Sequence, residues 1–169
     1  MIHRRELITS SLGAALLSAF DLARAQSSKT VRIVVPFAAG GVQDILARAL
    51  SNELGTALGQ TVIVENKAGA GGTIGTGFVA RAEADGTVMV AAAVSHNIAG
   101  SLYNKLSYDP QKDFTPYAHI GHASYVMMIH PDVPAKNAAE FIRYAKANPG
   151  KMNYASAGVG SATHLAMAY

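Results

Sequence analysis

Val31-Arg-Ile-Val-Val-Pro-Phe-Ala-Ala-Gly-Gly-Val-Gln-Asp44 decides how the rest of the chain is read. Val31 to Val35 is an apolar, β-branched run with the length of a buried strand. Pro36 ends it, because proline has no N–H for a central ladder. Gly40 and Gly41 allow backbone conformations and close approaches that a Cβ would block. Asp44 then stands where a helix begins. A strand, a glycine-rich turn and a helix start present backbone N–H groups above the turn, which is a place for an anion.

Working outward, the same rhythm recurs. Val42, Leu46, Leu50, Leu54 and Leu58 return every four residues, which predicts an amphipathic helix with that stripe buried. Gly59 ends it. Thr61 to Glu65 reads as a second strand, Thr73 to about Ala82 as a helix packing through Ile74, Phe78 and Val79, and Thr87 to Ala93 as a third strand buried on both faces. Strand, helix, strand, helix, strand predicts a parallel α/β unit. After a looser stretch, with a short helix expected within Ile98 to Leu106, the rhythm restarts. Tyr125 to Ile129 is the next expected strand, and Asn137 to Asn148 is a helix opened by a capping box with Glu140. Met152 to Ser156 is a further strand, followed by a helix start at Ala162.

Pro-Phe-x-x-Gly-Gly-x-x-Asp after a first strand resembles the Bug-type solute receptors of tripartite tricarboxylate transporters. Glu65-Asn-Lys-Ala-Gly-Ala-Gly-Gly72, Tyr108-Asp-Pro-Gln-Lys-Asp-Phe-Thr-Pro116 and Asn153-Tyr-Ala-Ser-Ala-Gly-Val-Gly-Ser161 extend that resemblance in the same order. It implies an α/β fold of the type II periplasmic-binding-protein kind, with two α/β domains and a ligand cleft between them. The second domain is expected to be incomplete here, the chain looking like the N-terminal half of such a receptor. The expected division is a signal peptide at 1–25, a first α/β domain at 26–122, and the start of a second at 123–169.

The leader expectation also has a compositional basis. Arg4 and Arg5 precede an apolar centre from Leu12 to Phe20, and Ala23-Arg-Ala25 forms an A-x-A exit, predicting cleavage after Ala25 and a periplasmic product. That apolar centre is too short for a permanent membrane span. Arg4-Arg5 leaves the Sec and twin-arginine routes both open.

Composition narrows the function. Half of the 169 residues are hydrophobic and 15% are charged, so a sizeable core is available. The formal charge of +3 falls to +2 without residues 1–25, with no basic cluster beyond them, which argues against nucleic acid as a partner. There is no cysteine, hence no disulfide, thiolate metal site or lipidated cysteine.

Ligands of open α/β sheets gather beyond the carboxyl ends of strands. Here those segments are Phe37 to Gly41, Asn66 to Gly72, Ser95 to Asn97 and Ala157 to Ser161, all small, polar or glycine-rich. Singly each reads as an ordinary tight turn; together, with little side-chain charge, they point to a carboxylate cradle. The resemblance implies backbone contacts from Phe37 and Ala38, with Gly40 and Gly41 permitting close approach. It implies side-chain hydrogen bonds from Ser95 and Asn97, and a carboxylate grip from Ser156, Ala157, Gly160, Ser161 and Thr163. Asp44 is expected to organise the first turn, since carboxylates repel; His164 is as well suited to packing or capping as to ligand contact.

Enzyme signatures are weak. Gly69-Ala-Gly71 lacks the third glycine of a dinucleotide fingerprint, the position being Ile74, and Gly150-Lys151 lacks the rest of a P-loop. No G-x-S-x-G elbow supports Ser95 beside His96. His119 and His122 have no third metal ligand nearby in sequence. The expectation is therefore a receptor without catalysis, metal or cofactor, which captures a small organic anion and delivers it to membrane permease subunits. Two rivals stand beside it: a secreted α/β enzyme whose catalytic residues lie in the missing C-terminal half, and a non-functional fragment.

Overall fold

A computed structural model describes residues 29–168. The expected signal peptide, Met1 to Ala25, lies outside the described residues. Strands β1 (Val31–Val35), β2 (Val62–Asn66) and β3 (Val88–Val90) form one parallel sheet in the order β2-β1-β3. Helices are α1 (Val42–Leu58), α2 (Thr73–Ala80), α3 (Val94–Leu102), α4 (Ala138–Ala147) and α5 (Ala162–Ala168), with a short 3-10 turn at Ala70–Gly72.

The apolar run Val31 to Val35 is thus the middle strand. Val31 pairs with Val62 and Val35 with Asn66, while Arg32 pairs with Val88 and Val34 with Val90. Val34 and Val35 are fully buried, each side chain contributing on the order of 1.5–3 kcal/mol. The period of two sorts β1 between two helical layers. Ile33 and Val35 join Ala47 of α1 and Ala91 in the core cluster. On the other face the Arg32 guanidinium lies 5.7 Å from the Phe78 ring of α2. A parallel sheet covered on both faces results.

The expected stripe of α1 is corrected. Asp44 and Ala47 are its buried residues, with Leu54 partly buried, whereas Val42, Ile45, Leu46, Leu50 and Leu58 are exposed. The helix meets the sheet through Ala47 and, farther along, Leu54, which leaves Val42, Leu46, Leu50 and Leu58 outward. In α2 likewise Gly75, Thr76 and Gly77 are buried and Ile74 is exposed. β3 is only three residues long and half-buried. The helix expected within Ile98 to Leu106 begins and ends earlier, at Val94–Leu102.

Neither Tyr125 to Ile129 nor Met152 to Ser156 is a strand. A strand needs a ladder partner for its N–H and C=O groups, and among the described residues the sheet ends at β3. Tyr125, Val126 and Met128 accordingly stand in solvent.

The Tyr108 to Pro116 connection is pinned to α3. His96 Nε2 donates to the Pro110 carbonyl at 2.9 Å, its ring stacks parallel to Tyr108 and Phe114 meets it edge-on. The capping box of α4 forms: Asn137 Oδ1 accepts from Glu140 N at 3.0 Å, and Glu140 reaches back to Lys136 N at 2.7 Å. Asn137→Ala is expected to cost about 1 kcal/mol, read by urea unfolding; an unchanged midpoint would show that α4 needs no cap.

Candidate functional site

The turn after β1 owes its shape to one carboxylate. Asp44 is the third residue of α1 and is 3% exposed. It accepts from Gly40 N at 2.9 Å, from Arg48 Nε at 3.0 Å and from Asn66 Nδ2 at 2.9 Å. Asn66, at the end of β2, also donates to the Phe37 carbonyl at 3.2 Å and accepts from Arg48 Nη2 at 2.9 Å. One amide side chain therefore fastens the loop after β2 to the loop after β1. The Arg48 guanidinium, then the Gly40 amide and Asn66, hold the Asp44 carboxyl down at about 2 against an ordinary 3.8. A carboxylate closed in by donors at a helix N-terminus is stabilised and presents no negative face to the turn.

The second loop is stapled from within. Thr163 Oγ1 accepts from Ala157 N at 3.0 Å, and Ser156 Oγ accepts from Gly158 N at 3.3 Å. His164 Nδ1 accepts from Gly160 N at 3.5 Å, and Ser161 Oγ accepts from His164 N at 3.2 Å. His164 and Thr163 thus bond within the loop and the start of α5.

Between these loops lies a hollow of about 390 Å³. Phe37 and Ala38 form one wall and Ala157, Gly158 and Val159 another, with Ala68 to Gly72 and Tyr103 completing it. The loop at Gly69 to Gly72 can enter because its backbone is left-handed at Gly71 (φ 62°) and Gly72 (φ 97°), and a Cβ on Gly72 would stand 3.3 Å from the Phe37 ring. Among the described residues no charged side chain lines the hollow.

Of the residues singled out in the sequence, Phe37, Ala38 and Ala157 line this space. Gly40 and Gly41 are outside the lining, the Gly40 N–H being spent on Asp44. Ser95 is buried in the first turn of α3 and Asn97 is exposed on the same helix, both away from the lining. Ser156, Gly160, Ser161 and Thr163 shape the second loop from behind. The Ala38 and Val159 amides take no part in these bonds. Tyr103 escaped the sequence reading because no motif surrounds it; it simply follows an ordinary helix. Among the described residues no three His, Asp or Glu side chains gather as a metal ion would require.

Comparison with known proteins points one way. The family model described as tripartite tricarboxylate transporter family receptor matches residues 46–169. A UPF0065 protein of Bordetella pertussis is 39% identical over 156 residues, covering 90% of this chain and 48% of its own. The solved structure of the periplasmic binding protein BugD is 39% identical with a TM-score of 0.66, covering 80% of this chain and 46% of its own. MatC from Rhodopseudomonas palustris, solved with bound malate, is 36% identical with a TM-score of 0.66, covering 79% and 46%. The chain spans about half the length of the relatives it matches.

Proposed function

The chain belongs to the tripartite tricarboxylate transporter family of receptors, and on that premise we propose that it grips a small organic carboxylate between two α/β lobes. One observation carries the reading: the turn after β1 and the loop before α5 face a single uncharged hollow. An acid seated there meets main-chain groups of both loops, the Ala38 and Val159 amides foremost, while Asp44 is neutralised behind the turn by its three donors. The malate bound to MatC is the kind of ligand such a hollow suits.

In this reading residues 1–25 are the export signal, the protein works in the periplasm, and the lobes divide near residue 122. Contacts from both loops favour the closed arrangement, which is how a ligand drives hinge closure. The closed receptor then delivers its acid to membrane permease subunits. No bond of the ligand is made or broken.

The test is a thermal-shift titration of the intact purified protein with malate, other di- and tricarboxylates, aromatic acids and amino acids. An acid at a hundredfold excess over its Kd stabilises by about 2.7 kcal/mol, a rise of several degrees in Tm. A flat response to every acid would end the receptor reading.

A further inference from the structure

We propose that Tyr103 is a positioning residue that ties the loop before α5 onto the loop after β2 and so sets the width of the hollow's mouth. The proposal rests on the receptor reading above for what the mouth admits, and on geometry alone for the tie itself. Tyr103 directly follows α3, with an extended backbone (φ −113°, ψ 118°) that carries the chain out of the helix. Its hydroxyl donates to the Val159 carbonyl, 56 positions later in sequence, at 3.1 Å. Among the described residues that line the hollow it has the only polar side chain.

The fit around that hydroxyl is close on the sides where two glycines meet it. A Cβ on Gly71 would stand 2.8 Å from the Tyr103 oxygen and 2.8 Å from the Val159 carbonyl oxygen. A Cβ on Gly160 would collide with the same phenol oxygen and reach 3.0 Å from Leu102. Both glycines have positive φ, 62° and 82°. Three segments distant in sequence therefore meet at one phenol oxygen, and two of them can do so only as glycine.

The tie bears no charge, and its proton is committed to a protein carbonyl. Loosening it therefore weakens the closed arrangement for every acid by the same factor, leaving the order of preference among acids unchanged. That separates a residue acting through Val159 from one that reads the ligand.

The experiment compares the intact protein with Tyr103→Phe, which keeps the ring and removes the hydroxyl. Without ligand, hydrogen exchange of the amides in 157–161 is expected to quicken roughly two- to tenfold, the worth of one hydrogen bond. Malate and a second acid that binds the unsubstituted protein should both weaken by a common factor of that size. Gly71→Ala should quicken the same amides, and combining it with Tyr103→Phe should add less than the two separate effects, because both act on one contact. Unchanged exchange in Tyr103→Phe overturns the tie, as does strict additivity with Gly71→Ala. A changed preference between the two acids also overturns it, by making Tyr103 a ligand contact. If the unsubstituted protein binds no acid, the receptor reading falls while the exchange result still decides the tie.

Discussion

Gly75→Ala is expected to destabilise the protein by about 2–3 kcal/mol, within the range for overpacking a well-filled interior. A Cβ at this position of α2 would lie 2.7 Å from the Lys67 carbonyl oxygen, 2.9 Å from Pro36 Cα and 3.0 Å from Pro36 Cβ. Two of those three atoms are main chain and none ends a flexible side chain, so the clash is relieved only by moving α2 off the end of β1. The displacement reaches the site, since Pro36 leads into Phe37 and Lys67 opens the loop that carries Gly69 to Gly72. Loss of several degrees in Tm is the expected reading. Gly121→Ala is the control: nothing lies within 4 Å of its added Cβ, and a change within about 0.5 kcal/mol is expected. Equal Tm values for the two variants would show that α2 does not bear on Pro36 as described.

The second large effect belongs to Asp44→Asn. The substitution keeps the shape but leaves one acceptor oxygen for three donors and sets an NH₂ against Arg48, Asn66 or the Gly40 amide. The Phe37 to Gly41 turn loses its anchor, and acid binding is expected to weaken at least about tenfold, as for a lost charge-assisted hydrogen bond. The pH dependence has a definite sign. With the folded carboxyl at about 2 and the ordinary value at 3.8, the ionised group favours the folded state. Its contribution is complete above the ordinary value and fades as pH falls toward 2. The Tm gap between the unsubstituted protein and Asp44→Asn should therefore be constant from pH 7 to about 5 and close below about 4. Asp85, drawn down chiefly by Lys29, and Asp109, drawn down chiefly by the Gln111 amide, titrate alike in both proteins and cancel in that gap. A gap independent of pH would mean that the charge of Asp44 is not what holds the turn.

The local frame of the first turn was legible in the sequence, whereas of the singled-out residues only Phe37, Ala38 and Ala157 line the hollow. The opening strand, its glycine turn and the helix after it follow from chain chemistry that acts over a few residues: proline without an N–H, glycine without a Cβ, apolar runs of strand length. The role of Asp44 could be placed by the same logic. What escaped depends on contacts distant in sequence. Leucines at every fourth position of α1 announce a stripe, but only the sheet decides that Ala47, small enough for close approach, faces it instead of Leu46. Tyr125 to Ile129 has strand composition without strand structure, because pairing belongs to two segments and composition to one. Tyr103 was invisible because its partner is the carbonyl of Val159, and main-chain carbonyls leave no mark on a sequence.

Among the described residues, the strand that comes first in the chain is the one that ends up flanked on both sides. Val31 to Val35 must wait as a bare apolar segment until residue 66 has been made before its first full ladder can close. The same residue, Asn66, brings the amide that fastens Phe37 and Asp44. The opening turn therefore matures in one step with the sheet: any nascent chain stopped short of Asn66 carries the motif in its letters and lacks it in space.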